Sequence, residues 1–378
     1  MVILAQAGIT FYLPSFVSIK SSFQGQNHQV ALTLTSYMAG YALWMLFWGW
    51  LADFLGRKKA LLLSISMFSF CSLLLAITHS LFLFVLLRFF QGAAGGGCAI
   101  VGRASLRDLF EGPELAKAMS YVSMAFVLGS GVFQFIGGQV EKFLVWRDDF
   151  WIMGFLGLIA FILVIFLFEE TKEKSVANSP NVKNYSLLKN YLEILKNKKF
   201  MFTALGGGIC YGITISFNTI APFLIQIQLK VSPEVYGYLG LFISSFYLAG
   251  SIAASRLVAK VGVKNIINLG FFVIISAGFS MLICNAVGIL NLYTIIIPIL
   301  FSAFGQAMIY PGAMTLALKN YKNKAGYATA LFGFVQQILG SGSSFISSFL
   351  SHKTTIPLAI IVIVIGVLGF SFVRQAEE

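Results

Sequence analysis

The stretch Gly49–Leu61, "GWLADFLGRKKAL", lies between two apolar runs of roughly 20 residues each. One acid, two glycines and three consecutive cations interrupt the hydrophobic sequence here before it resumes. About 20 consecutive apolar residues are needed for a helix to cross the hydrocarbon core of a bilayer. The stretch therefore indicates a short polar turn between two membrane-spanning helices.

The composition extends this interpretation to the whole chain. Of its 378 residues, 58% are hydrophobic and 11% are charged, and the mean hydropathy is +0.86. A soluble domain carries about 25% charged residues, so that class is excluded. We predict an all-α integral membrane protein with about twelve transmembrane helices, near 1–19, 29–51, 60–78, 80–106, 117–140, 149–168, 200–226, 235–257, 265–286, 291–318, 326–350 and 355–373.

The distribution of Lys and Arg predicts the orientation. With the N-terminus in the cytoplasm, 19 of the 26 basic residues fall in cytoplasmic loops and five in outer loops. Cytoplasmic loops carry an excess of Lys and Arg in membrane proteins, so both termini are predicted to be cytoplasmic. The net charge of +12 is explained by these loops, and no nucleic-acid partner is expected.

A charged segment at 169–199 divides the predicted spans into six and six. The domains predicted are therefore an N-terminal bundle at 1–168, a cytoplasmic linker at 169–199 and a C-terminal bundle at 200–378. Within the linker, "YSLLKNYLEILKN" places apolar residues at helical spacing opposite lysines, which indicates an amphipathic helix on the membrane surface.

The two halves echo each other after their second spans. Placing Gly56 over Gly262 aligns Lys58 with Lys264, whereas Asp53 falls on Ala259. Repeats of this kind are typical of transporters. In the turn itself, Gly49 and Gly56 are predicted to permit close helix contact and a tight turn. Asp53 is predicted either to meet the N-terminus of a neighbouring helix or to accept hydrogen bonds from Arg57.

These residues resemble the signature loop of the major facilitator superfamily, which matches at Gly49, Leu51, Asp53, Gly56, Arg57 and Lys58. A second match lies in the fourth span, where Arg88, Gln91 and Gly92 are similar to the superfamily's intramembrane Arg-x-x-Gln-Gly motif. The continuation from Arg103 to Asp108, with "YLP", "WRDDF", "EET" and "APF" elsewhere, resembles the Bcr/CflA drug-efflux branch.

The resemblance implies two six-helix bundles and gives some of these residues roles. The loop residues Gly49, Asp53, Gly56, Arg57 and Lys58 would form a conformational latch. Arg88 would belong to the substrate and proton relay at the centre. A charge at that depth is costly and usually faces a cavity with a partner, although an arginine that extends to the outer interface is the alternative.

Two departures set limits on the resemblance. Members of the branch usually carry an Asp where this chain has Thr10, and none of its 14 acids falls deep inside a predicted span. Gln134 and Ser130 replace prolines in the fifth span, which is therefore expected to be straight. With no carboxylate near, Arg88 is expected either to share its hydrogen bonds with Gln91 and backbone carbonyls or to meet a carboxylate or phosphate on the substrate.

Spans 1, 4, 7 and 10 face the centre in this superfamily, so polar residues on these spans and their neighbours are candidates for substrate binding or coupling. Hydrogen bonding between helices is an equal explanation for each of them. The candidates are Thr10, Tyr12, Tyr37, Tyr41, Arg88, Gln91, Gln134, Asn218, Gln306, Tyr310 and Gln336.

The function predicted is secondary active transport of small organic molecules across the bacterial inner membrane by alternating access, as multidrug or metabolite efflux of the Bcr/CflA type. The alternative is a facilitator or importer of an anionic, zwitterionic or neutral metabolite without proton coupling. No nucleophile–base pair, metal-ligand spacing or phosphate loop is found in the sequence, so neither an enzyme nor a catalytic, metal or cofactor site is expected. The partners expected are the lipid bilayer, a small-molecule substrate and, if transport is coupled, protons, with the chain acting as a monomer.

Overall fold

A computed structural model describes residues 1–171, 187–321 and 324–376. Its α-helices are α1 Val2–Thr10, α2 Phe16–Ser22, α3 Asn27–Leu55, α4 Arg57–Ile77, α5 Leu81–Leu109, α6 Gly112–Phe143, α7 Trp146–Leu167, α8 Leu187–Leu195, α9 Lys198–Ile209, α10 Tyr211–Phe223, α11 Pro233–Val261, α12 Val263–Ala286, α13 Leu292–Leu318, α14 Ala325–Phe349 and α15 Ile356–Gln375. A π-helix, Leu224–Gln228, follows α10.

Ten helical segments of this part of the chain are long and apolar enough to cross a membrane. The all-α class and the two-bundle plan are confirmed, and α6 is one α-helix of 32 residues. Two of the twelve predicted spans fall outside the ten. The first is broken between α1 and α2, and the eleventh, α14, is 25 residues long but rich in serine, glycine and glutamine.

The break in the first span is a turn at residues 11–15 that contains Pro14. Proline has no backbone N–H to continue an α-helix, so the chain stops and restarts. Ser15 is the N-cap position of α2. Consequently Tyr12, Ser15 and Phe16 lie at a bend inside the bundle and are buried there.

Backbone conformation repeats between the halves even where the residue types differ. Gly56 and Gly262 have φ of +92° and +82°, and each ends one helix and begins the next. Gln24 and Lys230, after the first and seventh spans, have φ of +50° and +54°. The two pairs have the same separation along the chain. The echo predicted from sequence is therefore a true structural repeat.

Within the first half, α3 and α5 approach until backbone touches backbone. A Cβ on Gly40 would lie 2.0 Å from the Phe89 carbonyl oxygen, and one on Gly92 would lie 1.9 Å from the Tyr37 carbonyl oxygen. Small residues allow this closeness between membrane helices. The contact fixes the height of α5 against α3 and therefore the place of the buried Arg88.

We call the end of the bundle that carries the Leu55–Arg57 turn the turn end, and the opposite end the far end. Several contacts that join the two halves lie towards the far end. Thr35 and Ser344 share a hydrogen bond of 2.8 Å, and Lys142 pairs with Glu234 at 2.8 Å. The rings of Phe16 and Phe223 are 5.6 Å apart.

The linker is described only at 169–171 and 187–199, so the first two residues of the predicted amphipathic segment 185–197 lie outside the described residues and the rest of it is described. Its helix α8 packs on the second half. Ile194 is buried, the ring of Tyr191 lies 5.4 Å from that of Tyr327, and Glu193 pairs with Lys324 at 2.5 Å.

Candidate functional site

Arg88 is wholly buried inside the first half. Its Nη1 donates to Gln91 Oε1, and its Nη2 donates to the Gly8 carbonyl at 2.6 Å. The guanidinium carbon lies 4.2 Å from the centre of the Tyr12 ring and 4.4 Å from that of Tyr37. Two electron-rich ring faces therefore stabilise a cation that has no carboxylate in contact among the described residues.

Hydrogen bonds hold the two tyrosines in place. The Tyr12 hydroxyl shares a bond of 3.1 Å with Thr33 Oγ1, and the Tyr37 hydroxyl donates to the Ala5 carbonyl at 2.8 Å. Gln91 Nε2 donates in turn to Ser72 at 2.7 Å. The arginine, the two tyrosines and Gln91 thus form one buried network that ties α1, α3, α4 and α5 together.

A separate cavity lies between the two halves and has a volume of about 30 Å³. Uncharged polar side chains from α6, α10, α11 and α13 line it: Ser130, Gln134, Thr214, Asn218, Ser244 and Gln306. Phe217, Ile243 and Ile299 supply apolar walls. A volume of 30 Å³ holds about two water molecules, so an organic substrate can enter only if the halves move apart.

The predicted site residues therefore separate into two groups. Gln134, Asn218 and Gln306 line the cavity, whereas Arg88, Gln91, Tyr12 and Tyr37 do not. The expectation that the first and fourth spans supply the cavity wall is not met in this conformation, because the tyrosines enclose the arginine.

Two further candidates lie outside the cavity wall. Thr10 donates to the Ser130 carbonyl at 2.9 Å and ties α1 to α6. Tyr310 packs on Phe332, 5.6 Å away between ring centres.

Thr214 was missed by the sequence analysis, although it donates to Gln306 at 2.8 Å. Its place one helical turn before Asn218 on the same span was the available signal.

The turn itself is an ionic cluster within the first half. Arg57 donates from Nη1 to Asp53 and from Nε to Asp108, each at 2.7 Å. The backbone N–H groups of Arg57 and Lys58 donate to the Glu170 carboxylate at 2.7 and 3.1 Å. Of the two arrangements predicted for Asp53, the bond with Arg57 is the one observed, and Glu170 occupies the N-terminus of α4.

Gly49 is a correction to the sequence analysis. Where its Cβ would stand, no heavy atom of the described residues lies within 4 Å beyond its own turn of helix and chain neighbours, so it allows no close helix contact in this conformation. Gly56 does serve the tight turn, because its φ of +92° suits glycine and a Cβ there would meet the Glu170 carboxylate at 2.4 Å.

Replacing Glu170 with alanine is expected to lower the free energy of unfolding by about 1 kcal/mol, the usual cost of losing a helix cap. The change leaves the first N–H groups of α4 without their carboxylate. The measurement is the thermal midpoint in detergent, with the exposed neighbour Glu169→Ala as the matched control. Equal midpoints for the two variants would show that the cap contributes nothing.

One buried acid also escaped the sequence analysis. Asp149 lies only four residues into α7, yet its side chain is fully buried, because the broken first span folds over it. Ser15 donates to Asp149 Oδ2 at 2.6 Å. The expectation that no acid lies deep inside a span holds for position along the chain, because Asp149 is in the first turn of α7. It is wrong for burial, because the Asp149 side chain is fully buried.

Comparisons with known proteins agree with this geometry. Residues 1–344 match the family model described as Major Facilitator Superfamily. The chain belongs to that superfamily. It is a multi-pass membrane transporter and not an enzyme. A "Bicyclomycin resistance protein homolog" from Haemophilus influenzae is 29% identical over 371 residues, which cover 97% of this chain and 92% of the relative.

Two further comparisons extend the match. "Multidrug resistance protein MdtL" from Shewanella oneidensis is 25% identical over 339 residues, covering 89% of this chain and 83% of the relative. Among solved structures, the xylose transporter XylE from E. coli superposes with a TM-score of 0.76 at 14% identity, covering 99% of this chain and 94% of XylE. At that identity, XylE supports the fold alone.

Proposed function

We propose that this transporter exports small, neutral organic molecules from the cytoplasm across the bacterial inner membrane by alternating access. The observation that carries the proposal is the cavity between the halves, whose polar lining consists of amides and hydroxyls without a charged side chain. Such a lining orients a neutral substrate through hydrogen bonds, while Phe217 and Ile243 offer it apolar contact.

The direction and the orientation rest on separate arguments. Export is supported by the resistance proteins among the relatives. The excess of Lys and Arg in the loops at the turn end supports a cytoplasmic turn end with both termini inside. The two bundles, 1–168 and 200–378, would rock about the cavity as a monomer, with 169–199 as the linker.

An anionic substrate has weaker support. Arg88, the group expected to bind it, is enclosed by Tyr12 and Tyr37 and already donates to Gly8 and Gln91. Reaching it would require a substrate to break that network.

Reconstituted proteoliposomes test the proposal. A panel of labelled neutral, cationic and anionic compounds is offered to vesicles whose protein orientation has been assigned by protease cleavage of the linker. We expect movement of neutral compounds from the side that carries the turn end. Two results would favour the facilitator alternative. One is movement of anionic compounds alone, and the other is equal rates of transport in both directions when the same concentration gradient of a compound is imposed from either side.

Asn218→Ala and Gln306→Ala are each expected to raise the KM for a transported compound about 3- to 10-fold, because each change removes one neutral hydrogen bond worth about 1 kcal/mol. Asn265→Ala is the matched control, since that side chain is exposed and bonds only to the Val261 carbonyl, at 2.7 Å, among the described contacts. Unchanged KM values in both cavity variants would place the substrate elsewhere.

A further inference from the structure

The far end of the first half holds two acids that the transport proposal has not used. Asp149 on α7 is fully buried, and Glu141 near the end of α6 is half-buried. Ser15 donates to Asp149, and Ser18, one helical turn further on, donates to Glu141. Two serines from the broken first span therefore each donate to one of the two carboxyl groups.

Each carboxyl group has one oxygen left over. Among the described residues, Asp149 Oδ1 and Glu141 Oε2 are buried and have no hydrogen-bond partner. A buried carboxylate oxygen without a donor is costly, because nothing replaces the water that it has lost. The unpartnered oxygens indicate that a ligand belongs between or beside these groups.

The charges around the pair do not neutralise it. The titratable groups that act on Asp149 are Glu141 and Asp148, both acids. Towards the far end, the basic residues of the surrounding elements are Lys20, Arg88, Lys142 and Arg147, and the histidines there are His28 and His79. Arg88 donates to Gly8 and Gln91, Lys142 pairs with Glu234, and Arg147 donates to the Thr78 carbonyl. Among the described residues no cation pairs with Asp149, and a fully buried charge without a partner is costly.

We infer that Asp149 binds one proton, which reaches it from far-end water through Glu141, and that this proton governs the contact between the halves at Phe16 and Phe223. Hydronium loses one O–H bond and becomes water, the Glu141 carboxylate accepts and then releases the proton, and a new O–H bond forms on Asp149. Only one oxygen of each carboxyl group is without a partner among the described residues. This suits a single proton better than Ca²⁺ or Mg²⁺, because each of these cations takes about six or more oxygen ligands.

The path from Asp149 to the contact between Phe16 and Phe223 is short. Ser15, the donor to Asp149, is followed directly by Phe16, whose ring lies against Phe223 of the other half. A neutral Asp149 accepts the serine hydrogen bond more weakly than a carboxylate does. Protonation therefore loosens the bend between α1 and α2 at the point where it touches the second half.

Infrared difference spectra of the purified protein, without substrate, test proton binding directly. A protonated carboxylic acid has a carbonyl stretch well separated from those of a carboxylate. We expect a band that grows as the pH is lowered, is lost in Asp149→Asn and remains in the control Asp148→Asn. A band that persists in Asp149→Asn would overturn the assignment.

A second variant and a sodium control complete the infrared test. If Asp149→Asn does not fold, Ser15→Ala is measured instead, and its band is expected to persist with a midpoint shifted by about one pH unit, the usual scale of a lost hydrogen bond to a charged group. An unshifted midpoint would contradict the assignment. Loss of the band when sodium replaces choline at constant pH would identify a cation site instead.

The effect of the proton on the contact between the halves is measured separately, as the distance between spin labels at the turn ends of α6 and α11. The wild type is expected to change this distance with pH, and Asp149→Asn is expected not to. The purpose of the proton rests on the proposed transport function. If the transport assay shows no export of neutral compounds, the infrared measurement of proton binding at Asp149 is unaffected. The two proposals can therefore be contradicted separately. A pH response equal in wild type and variant would overturn the coupling.

Discussion

Arg88→Ala is expected to abolish transport and to lower the free energy of unfolding by about 3 kcal/mol. The substitution leaves Gln91 Oε1 and the Gly8 carbonyl without their donor, at about 1–3 kcal/mol for each unpaired buried group. It also removes the cation between the rings of Tyr12 and Tyr37, and the bend of the first span loses its support. Transport in proteoliposomes and the thermal midpoint in detergent measure the two effects.

Arg88→Lys distinguishes the possible roles. An ammonium group is compact and cannot donate to Gly8 and Gln91 while it also lies flat against two rings, so this variant is expected to lose most of its transport. Full activity in Arg88→Lys would instead favour a simple charge that binds an anionic substrate. Arg103→Ala on the same helix is the matched control, since that half-buried side chain lies 5.9 Å from one ring, Phe126, and a loss below about 1 kcal/mol is expected.

Gly92→Ala is expected to destabilise the first half by about 3 kcal/mol or more, or to prevent its assembly. The added methyl group would stand 1.9 Å from the Tyr37 carbonyl oxygen, a backbone atom that cannot move unless α3 moves with it. Overpacking in a rigid contact typically costs about 1–3 kcal/mol, and here the clash is with main chain. Yield, monodispersity and the thermal midpoint are the measurements.

Gly49→Ala on α3 is the matched control, and its effect is expected to have the opposite sign. The space around Gly49 is open, and alanine stabilises a helix interior by about 0.5–1 kcal/mol relative to glycine. A Gly92→Ala protein as stable as the wild type would show that α3 and α5 are not as close as the structure has them.

Much of the fold could be predicted because its signals are local. Span length, the polar turn at Gly56 and the excess of basic residues follow from hydrophobicity and charge along the chain. The bond between Arg88 and Gln91 follows from their spacing of three on one helix. The repeat was visible at Gly56 and Gly262 because both turns require the same unusual backbone angle.

The site was less predictable because it depends on how distant segments meet. Asp149 is near a helix end in sequence, and only the folding of the broken first span over α7 buries it. Glu170 was noted as a motif residue, but its place at the N-terminus of α4 requires the sixth span to return beside the third. Gly49 fitted the motif and still has open space, because contact depends on the partner helix.

The two halves share a backbone plan but have diverged in chemistry. Arg88, Asp149 and the ionic cluster at the turn belong to the first half, whereas most of the cavity wall comes from the second. Substitutions that reshape the cavity can therefore accumulate in one bundle without disturbing the buried charges of the other. We expect the range of transported molecules to evolve quickly in such a protein while the machinery that moves the halves stays fixed.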